Sequence, residues 1–279
     1  MKLSRETDAL IRAALREDLG ARGDVTTELF VDRDAKLSGR VVAKQSGVVC
    51  GVELAAAVFK RVDKGCRLAI MLGDGRRCEP GDTVMRVSGS RALLTAERAA
   101  LNFLQHLSGV ATLTAAYADK LKGTRSKVFD TRKTLPAYRE LDKYAVRCGG
   151  GRNHRMGLYD AVLLKDNHWA GGRDVPAGVR AARRKYPGIL VELEAADLDQ
   201  VARALAAGAD VILLDNMTRP LLRRAIARIR QASPKTQIEV SGGVSLETIG
   251  ALGKLGADRI SVGRITHSAP ALDLSLEIA

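Results

Sequence analysis

The chain has 279 residues, of which 46% are hydrophobic and only 4% aromatic, and a formal net charge of +13. That length holds one large or two modest domains, and so few aromatics leave small aliphatic side chains to fill the core, which suits a helix-rich α/β protein better than a β-sandwich. No apolar run approaches the ~20 residues that span a bilayer, and Glu6, Asp8, Glu17 and Asp18 speak against a signal peptide, so a soluble cytoplasmic protein is expected.

Leu3 to Leu19 reads as an amphipathic helix, with Leu10, Ile11, Ala14 and Leu15 on one face, Ser4 as N-cap and Gly20 as stop. Short β-branched runs follow at Leu37–Lys44, Gly47–Val52, Arg67–Leu72 and Thr83–Ser88, separated by Gly-Asp-Gly and Pro-Gly-Asp turn signals. A long helical pattern from Ala92 to Leu107 closes this unit, and Gly109 is expected to end it. Its apolar face carries Ala96, Ala100, Phe103, Leu104 and Leu107, while Arg91, Thr95, Arg98, Asn102 and Gln105 form a separate polar stripe. These features predict a small N-terminal α+β domain over residues 1–109, its sheet covered on one side. His106, on the same helix, reads as a surface or interface residue.

From about residue 125 short apolar strands alternate with helical stretches: Lys127–Asp130, Ala161–Leu164, Ile189–Glu194, Val211–Asp215, Gln237–Val240 and Arg259–Val262. Such spacing matches successive βα units of a parallel sheet or barrel over residues 110–269, with six strands rather than eight. The segment 270–279 is a candidate to rejoin the first domain.

Each strand ends in polar residues or glycine. The first runs into Asp130-Thr131-Arg132-Lys133-Thr134, the second into Lys165-Asp166-Asn167-His168. The third carries Glu192 and Glu194, and the fourth ends in Asp215-Asn216. The fifth ends in Ser241-Gly242-Gly243, and the sixth runs into Gly263-Arg264, with Thr266-His267-Ser268 beyond. Parallel barrels gather their C-terminal strand ends at one mouth, where active sites lie. Arg132, Lys133, His154, Arg155 and Lys165 are cationic or potentially cationic and suit a ligand with several negative charges. Glu194 and Asp215 offer hard oxygen donors for Mg²⁺ or a ribose diol. Ser241-Gly242-Gly243 and Gly263 supply close backbone amides for a terminal phosphate.

Taken singly these signals are weak. A lone Ser-Gly-Gly is ordinarily a turn, and Gly149-Gly150-Gly151 reads as a flexible loop rather than a dinucleotide fingerprint. His168 and His267 can orient neighbours without touching a ligand. The four cysteines, Cys50, Cys66, Cys78 and Cys148, stand far apart without metal-ligand spacing, so reduced structural thiols are expected. The positive charge is consistent with small polyanions drawn into a cleft. A nucleic-acid-binding module would need a basic stripe with stacking aromatics, which 4% aromatic content does not provide.

Asp130-Thr131-Arg132-Lys133-Thr134-Leu135-Pro136, Lys143-Tyr144-Ala145-Val146, Gly149-Gly150-Gly151-Arg152-Asn153-His154-Arg155 and Leu164-Lys165-Asp166-Asn167-His168 together resemble the quinolinate phosphoribosyltransferase family. Gly23-Asp24-Val25-Thr26-Thr27, Glu97-Arg98-Ala99-Ala100-Leu101-Asn102, Leu214-Asp215-Asn216 and Ser241-Gly242-Gly243 are similar to it too. The resemblance implies an incomplete α/β barrel of six or seven strands beside an N-terminal α/β sandwich. It also implies synthesis of nicotinate mononucleotide, pyrophosphate and CO₂ from quinolinate and phosphoribosyl pyrophosphate with Mg²⁺, in de novo NAD biosynthesis. By position, Arg132, His154, Arg155 and Lys165 would hold quinolinate, joined by Arg98 from the partner in a homodimer. Lys133 would hold the pyrophosphate, Glu194 and Asp215 the ribose and metal, and Ser241, Gly242, Gly243 and Gly263 the 5′-phosphate. Lys133, Lys165, Glu194 and Asp215 would be the catalytic set. Two related readings compete with this one. A transferase for a monocarboxylate such as nicotinate would leave cations unpaired, and a diverged relative linked to molybdenum uptake is at odds with the intact Arg132-Lys133 and Asn153-His154-Arg155. The Gly23–Thr27 segment has no chemical role legible in sequence.

Overall fold

The computed structural model describes residues 3–165, 168 and 174–279, so Asp166 and Asn167 lie outside the described residues. The chain divides into two compact units, the first comprising Met1–Ala115, Leu141–Gly150 and Ser268–Ala279, the second Ala116–Glu140 and Gly151–His267.

In the first unit, helix α1 (Arg5–Leu19) starts where the Ser4 hydroxyl accepts the Thr7 amide, and it ends at Gly20 with φ 50°. A serine cap of this kind contributes about 1 kcal/mol. The Gly23–Thr27 segment has a structural purpose: Asp24 caps α2 (Val25–Phe30) by accepting the Thr27 amide at 2.9 Å, and it also accepts the Thr95 hydroxyl at 2.8 Å. Hydrogen bonds from Thr27, hydroxyl and amide, hold the Asp24 carboxyl below its ordinary range.

Strands β1 (Lys36–Ala43), β3 (Arg67–Ile70), β5 (Thr83–Ser90) and β12 (Leu274–Ile278) form an antiparallel sheet in the order β12-β1-β5-β3. The C-terminal segment thus pairs with β1, from Gly39 opposite Ile278 to Ala43 opposite Leu274. The expected strand Gly47–Val52 is cut short. Only β2 (Gly47–Val48) is extended, paired with β4 (Arg77–Cys78), and Val52 instead opens helix α3 (Val52–Val62). Gly51, at φ 100°, makes the turn, and Asp74 takes the Gly51 and Val52 amides that would otherwise be orphaned at the helix start. Helix α3 buries Leu54, Ala55, Val58 and Phe59. It escaped the sequence reading because its aliphatic run carries no N-cap side chain.

Gly109 does not end the long helix. Helix α4 runs from Ala92 to Lys120, and a Cβ at position 109 would lie 2.1 Å from the Pro270 carbonyl oxygen. The glycine is there for close backbone packing, which a pattern reading cannot separate from a C-cap.

The second unit is the expected parallel α/β barrel, left open. Its strands are β6 (Lys127–Phe129), β7 (Ala161–Leu164), β8 (Leu190–Ala195), β9 (Val211–Asp215), β10 (Gln237–Ser241) and β11 (Arg259–Ser261), in the order β6-β11-β10-β9-β8-β7. All pairings in this sheet are parallel. Helices α6 (Val175–Lys185), α7 (Leu198–Ala206), α8 (Arg219–Ala232) and α9 (Ile249–Gly253) connect successive strands. The short α10 (Arg264–His267) follows β11, and α5 (Arg139–Cys148) lies between β6 and β7 in the chain. At the open β6 edge a bridge joins Phe129 to Arg152. Val191, Leu193, Ile212, Leu214, Ile238, Val240 and Ile260 are buried in the unit's core, as a sheet covered by βα crossovers requires.

Candidate functional site

The C-terminal strand ends of the second unit surround a cavity of about 640 Å³, a size that holds a small polar ligand. Thr131, Arg132 and Lys133 reach it from β6, Lys165 from β7 and Asp215 from β9. Ser241, Gly242 and Gly243 enter from β10, and Gly263, Arg264 and His267 from β11 and α10. His154 and Arg155 complete the wall from the segment beside β6. Ten of the twelve residues singled out from sequence therefore line one cavity.

The two others differ. Glu194 is buried and absent from the lining, although its carboxylate holds the Lys165 ammonium at 3.0 Å. Lys165 is half exposed, so this pair orients the lysine more than it stabilises the fold. Arg98 is an exposed residue of α4 in the first unit and is not a lining residue.

Local hydrogen bonds explain how the wall is held. Asp130 is fully buried; it accepts the Asn153 side-chain amide at 2.5 Å and the His154 backbone amide at 2.8 Å. Backbone bonds from Arg152 to Val128 and from Asp130 to Arg152 lay this segment along β6. Arg139 donates to the carbonyls of Arg132, at 3.2 Å, and Met156, at 3.1 Å, tying the two cationic loops together.

Arg155 is the most constrained cation. One Nη donates to the Ala161 carbonyl at 3.0 Å, while its buried Nε has no hydrogen-bond partner. Burial, and then the charge of Arg132, hold its pKa below the ordinary arginine value. A buried donor without an acceptor costs about 1–3 kcal/mol, a cost that an anionic ligand removes.

The imidazole of His154 is held at both nitrogens. Its Nδ1 accepts the Arg155 amide at 2.8 Å, so the hydrogen-bond network places a proton on Nε2. That nitrogen faces inward, 3.1 Å from Glu192 and 3.5 Å from Glu239. His154 thus lines the pocket with its ring orientation fixed from both sides. Glu192 and Glu239 are both fully buried, and the Ser261 hydroxyl donates to Glu239. Burial and the Glu192 charge push the Glu239 carboxyl up to about 7. Glu239 lines the cavity floor but did not stand out in sequence. The available signal was an acid inside a buried apolar strand, the same signal that marked Glu192.

The glycine turn is sterically specified. Gly242 has φ 99°, and a Cβ there would lie 2.0 Å from the Asn216 side-chain oxygen. Asn216, itself at φ 51°, donates its amide to the Ser241 carbonyl at 3.0 Å, locking the β9 and β10 ends against each other. A Cβ on Gly263 would press on Lys133 Cδ at 3.1 Å and on the His267 ring at 3.2 Å. The loop Gly149–Gly151 is likewise packed rather than loose, since a Cβ at Gly149 would meet the Ala111 carbonyl oxygen at 2.3 Å.

A second groove of about 690 Å³ lies on the antiparallel sheet, lined by Arg40, Arg67, Arg86 and Glu277 among others. Arg40 and Glu277 already pair there at 2.9 Å. It lacks the converging strand ends and glycine turn of the barrel cavity.

Comparisons with known proteins agree with this geometry. A family model described as the C-terminal domain of quinolinate phosphoribosyl transferase matches residues 110–277, and one described as its N-terminal domain matches residues 24–108. The nicotinate-nucleotide pyrophosphorylase [carboxylating] of Mycobacterium leprae is 41% identical over 271 residues, covering 96% of this chain and 95% of the relative. Solved structures of nicotinate-nucleotide pyrophosphorylases are similar throughout. That from Francisella tularensis has a TM-score of 0.93 at 36% identity, covering 100% of this chain and 98% of that one. That from Ehrlichia chaffeensis has a TM-score of 0.92 at 34% identity, covering 100% of both chains.

Proposed function

The chain belongs to the quinolinate phosphoribosyltransferase family, and we propose that its reaction takes place in the cationic barrel cavity. The reaction joins quinolinate to phosphoribosyl pyrophosphate with decarboxylation, giving nicotinate mononucleotide, pyrophosphate and CO₂ for NAD biosynthesis. One observation carries the placement: Arg132, Arg155 and Lys165 share a cavity of about 640 Å³ with the Ser241–Gly243 turn. A dicarboxylate and a phosphorylated sugar need those two groups of donors side by side.

In this reading Arg132 and Arg155 clamp the quinolinate carboxylates, with Lys165 as a point charge held by Glu194. Filling the unpaired Arg155 Nε requires an acceptor, which favours a second carboxylate over a monocarboxylate such as nicotinate. His154 supports the ring from a fixed orientation. Ser241, Gly242, Gly243 and Gly263 receive the 5′-phosphate on backbone amides. Lys133 and Arg264 face the same cavity and balance the charge of the pyrophosphate.

The chemistry is displacement at the anomeric carbon by the pyridine nitrogen, through an oxocarbenium-like state. The C–O bond to pyrophosphate breaks as the N–C bond forms. The resulting pyridinium withdraws electrons from the neighbouring ring carbon, where loss of CO₂ leaves a carbanion that is then protonated. The protein's part is orientation and charge compensation. Asp215 ends β9 and Glu194 is the penultimate residue of the paired β8, and their hard oxygens suit Mg²⁺ arriving with the sugar pyrophosphate. When bound, that ion would offset charge growing on the leaving group.

Arg98 is assigned to the site of a second copy in a homodimer. Supporting this are its exposure, its absence from the cavity lining, and the exposed Leu29 and Phe30 of α2, an apolar patch that a partner would cover. Among the described residues no helix is long and apolar enough to cross a membrane; we assign the enzyme to the cytoplasm, where cysteines outside any disulfide, such as its four, are the rule.

The test is an assay of nicotinate mononucleotide and labelled CO₂ from carboxyl-labelled quinolinate, with nicotinate as control substrate. Turnover of nicotinate at a comparable rate would overturn the dicarboxylate assignment.

A further inference from the structure

Two cysteines that are remote in sequence meet in the first unit. Cys50 precedes the turn into α3 and Cys148 is the last residue of α5, and their sulfurs lie with an Asp74 oxygen in a cluster whose atoms are all within 4.8 Å of one another. Cys50 is buried and Cys148 only partly so. Neither lines the barrel cavity.

The surroundings decide between metal and thiol chemistry. Asp74 accepts the Gly51 and Val52 amides at 2.7 and 3.0 Å on one oxygen and the Tyr144 hydroxyl at 2.6 Å on the other. Its carboxylate is committed to starting α3 and fixing Tyr144. Only two sulfurs remain, short of the four ligands of a structural zinc site.

The two thiols are unlike each other. The backbone of Cys50 is pinned on both sides by Ser108, whose hydroxyl accepts the Cys50 amide at 2.9 Å and donates to the Cys50 carbonyl at 3.2 Å. Contact with Cys50 holds the Cys148 thiol below its ordinary pKa against the opposing effect of burial; that same contact, then burial, drives Cys50 upward. Cys66 and Cys78 are buried thiols raised chiefly by desolvation, as inert cysteines are. Cys148 thus combines thiolate character with access, and a second thiol faces it.

We propose that Cys148 and Cys50 form a built modification site, a nucleophilic and a resolving thiol that a hydroperoxide converts to an internal disulfide. The Cys148 thiolate attacks the terminal peroxide oxygen, an S–O bond forms as the O–O bond breaks, and an alcohol (water, from hydrogen peroxide) departs with the thiol's proton. Cys50 then attacks the Cys148 sulfenic acid; the S–S bond forms, the S–O bond breaks, and the hydroxide leaves as water with the Cys50 proton. Two thiols are oxidised by two electrons while one peroxide is reduced. Closing the gap to an S–S length of about 2.05 Å requires side-chain rotation, which falls to the less enclosed Cys148. A dithiol reductant reverses the step.

The experiment treats the reduced full-length protein with hydrogen peroxide, alkylates the remaining thiols and maps peptides by mass spectrometry. Two of the four thiols should disappear, with one peptide pair joined through Cys50 and Cys148 and released by dithiothreitol. In Cys50→Ser the sulfenic acid should persist at Cys148 and be captured by dimedone, and a Cys66→Ser/Cys78→Ser double variant should oxidise as the parent does. Oxidation of Cys66 or Cys78 ahead of Cys148, or over-oxidation of Cys148 in the parent while Cys50 stays free, would overturn the proposal. So would one equivalent of zinc, added as zinc chloride and retained through dialysis, that shields both thiols from alkylation; the pair would then be a metal site.

Discussion

The Nε2 atom of His154 lies 3.1 Å from a carboxylate oxygen of the fully buried Glu192, while its Nδ1 accepts the Arg155 amide at 2.8 Å. The ring thus links a buried acid to the backbone of a ligand-facing arginine. His154→Ala removes the group facing Glu192 and Glu239 and should destabilise the fold by about 1–3 kcal/mol, a cost typical of buried acceptors left unsatisfied. Denaturant melts of the variant and parent check this, and nitrogen-15 spectra should show a proton on Nε2. A ring unprotonated at Nε2 would contradict the assignment.

Glu239 makes stability depend on pH. Its folded pKa of about 7 stands above the ordinary 4.5, because burial and Glu192 disfavour its charged form. Folding therefore favours the protonated acid. That contribution is complete below about pH 4.5 and is lost as pH rises through about 7. Glu239→Gln imitates the protonated form and should flatten the decline across this window, measured as chemical stability against pH. An unchanged slope would assign the dependence to other groups.

Removal of the Arg155 guanidinium should cost a charge-assisted hydrogen bond, about 1.5–3 kcal/mol, or roughly ten- to 150-fold in affinity. Calorimetric titration of Arg155→Ala with quinolinate reads this directly. If phosphoribosyl pyrophosphate sits on the glycine turn and Lys133 as proposed, it should bind nearly as before.

The opposite selectivity is expected of Asp215→Asn. This substitution keeps the size of the side chain and removes a hard anionic ligand at the cavity wall. The sugar pyrophosphate should bind much more weakly, and activity should require more Mg²⁺, while quinolinate affinity stays close to the parent's. Identical Mg²⁺ titrations for variant and parent would remove the metal role.

Arg98 can be tested by subunit mixing. Arg98→Ala and Arg132→Ala are each expected to be nearly inactive. If Arg98 serves its partner's barrel, a mixed dimer has one site with both substitutions and one with neither, and activity returns on co-refolding. If it serves its own chain, every site keeps one lesion and the mixture stays silent.

Local pattern alone determined much of this protein. Short apolar runs at spaced intervals marked all six parallel strands, and the polar residues at their ends placed Arg132, Lys133, Lys165, Asp215 and Ser241–Gly243 on one rim. Parallel packing forces such ends together, so chain order suffices to group them. Motif resemblance then named the reaction. What only the tertiary structure decided were properties set by neighbours distant in sequence. Gly109 reads as a helix stop until Pro270 is seen against it. Gly23–Thr27 has no legible role until Asp24 meets Thr95. His154 reads only as a potential cation until the amide of Arg155 and two buried glutamates are seen to orient its ring. Cys50 and Cys148 look unrelated until Ser108 and α5 bring their sulfurs together. In each case the deciding quantity is a distance between groups far apart along the chain, and hydrogen bonding, burial and thiol reactivity all depend on that distance rather than on sequence spacing.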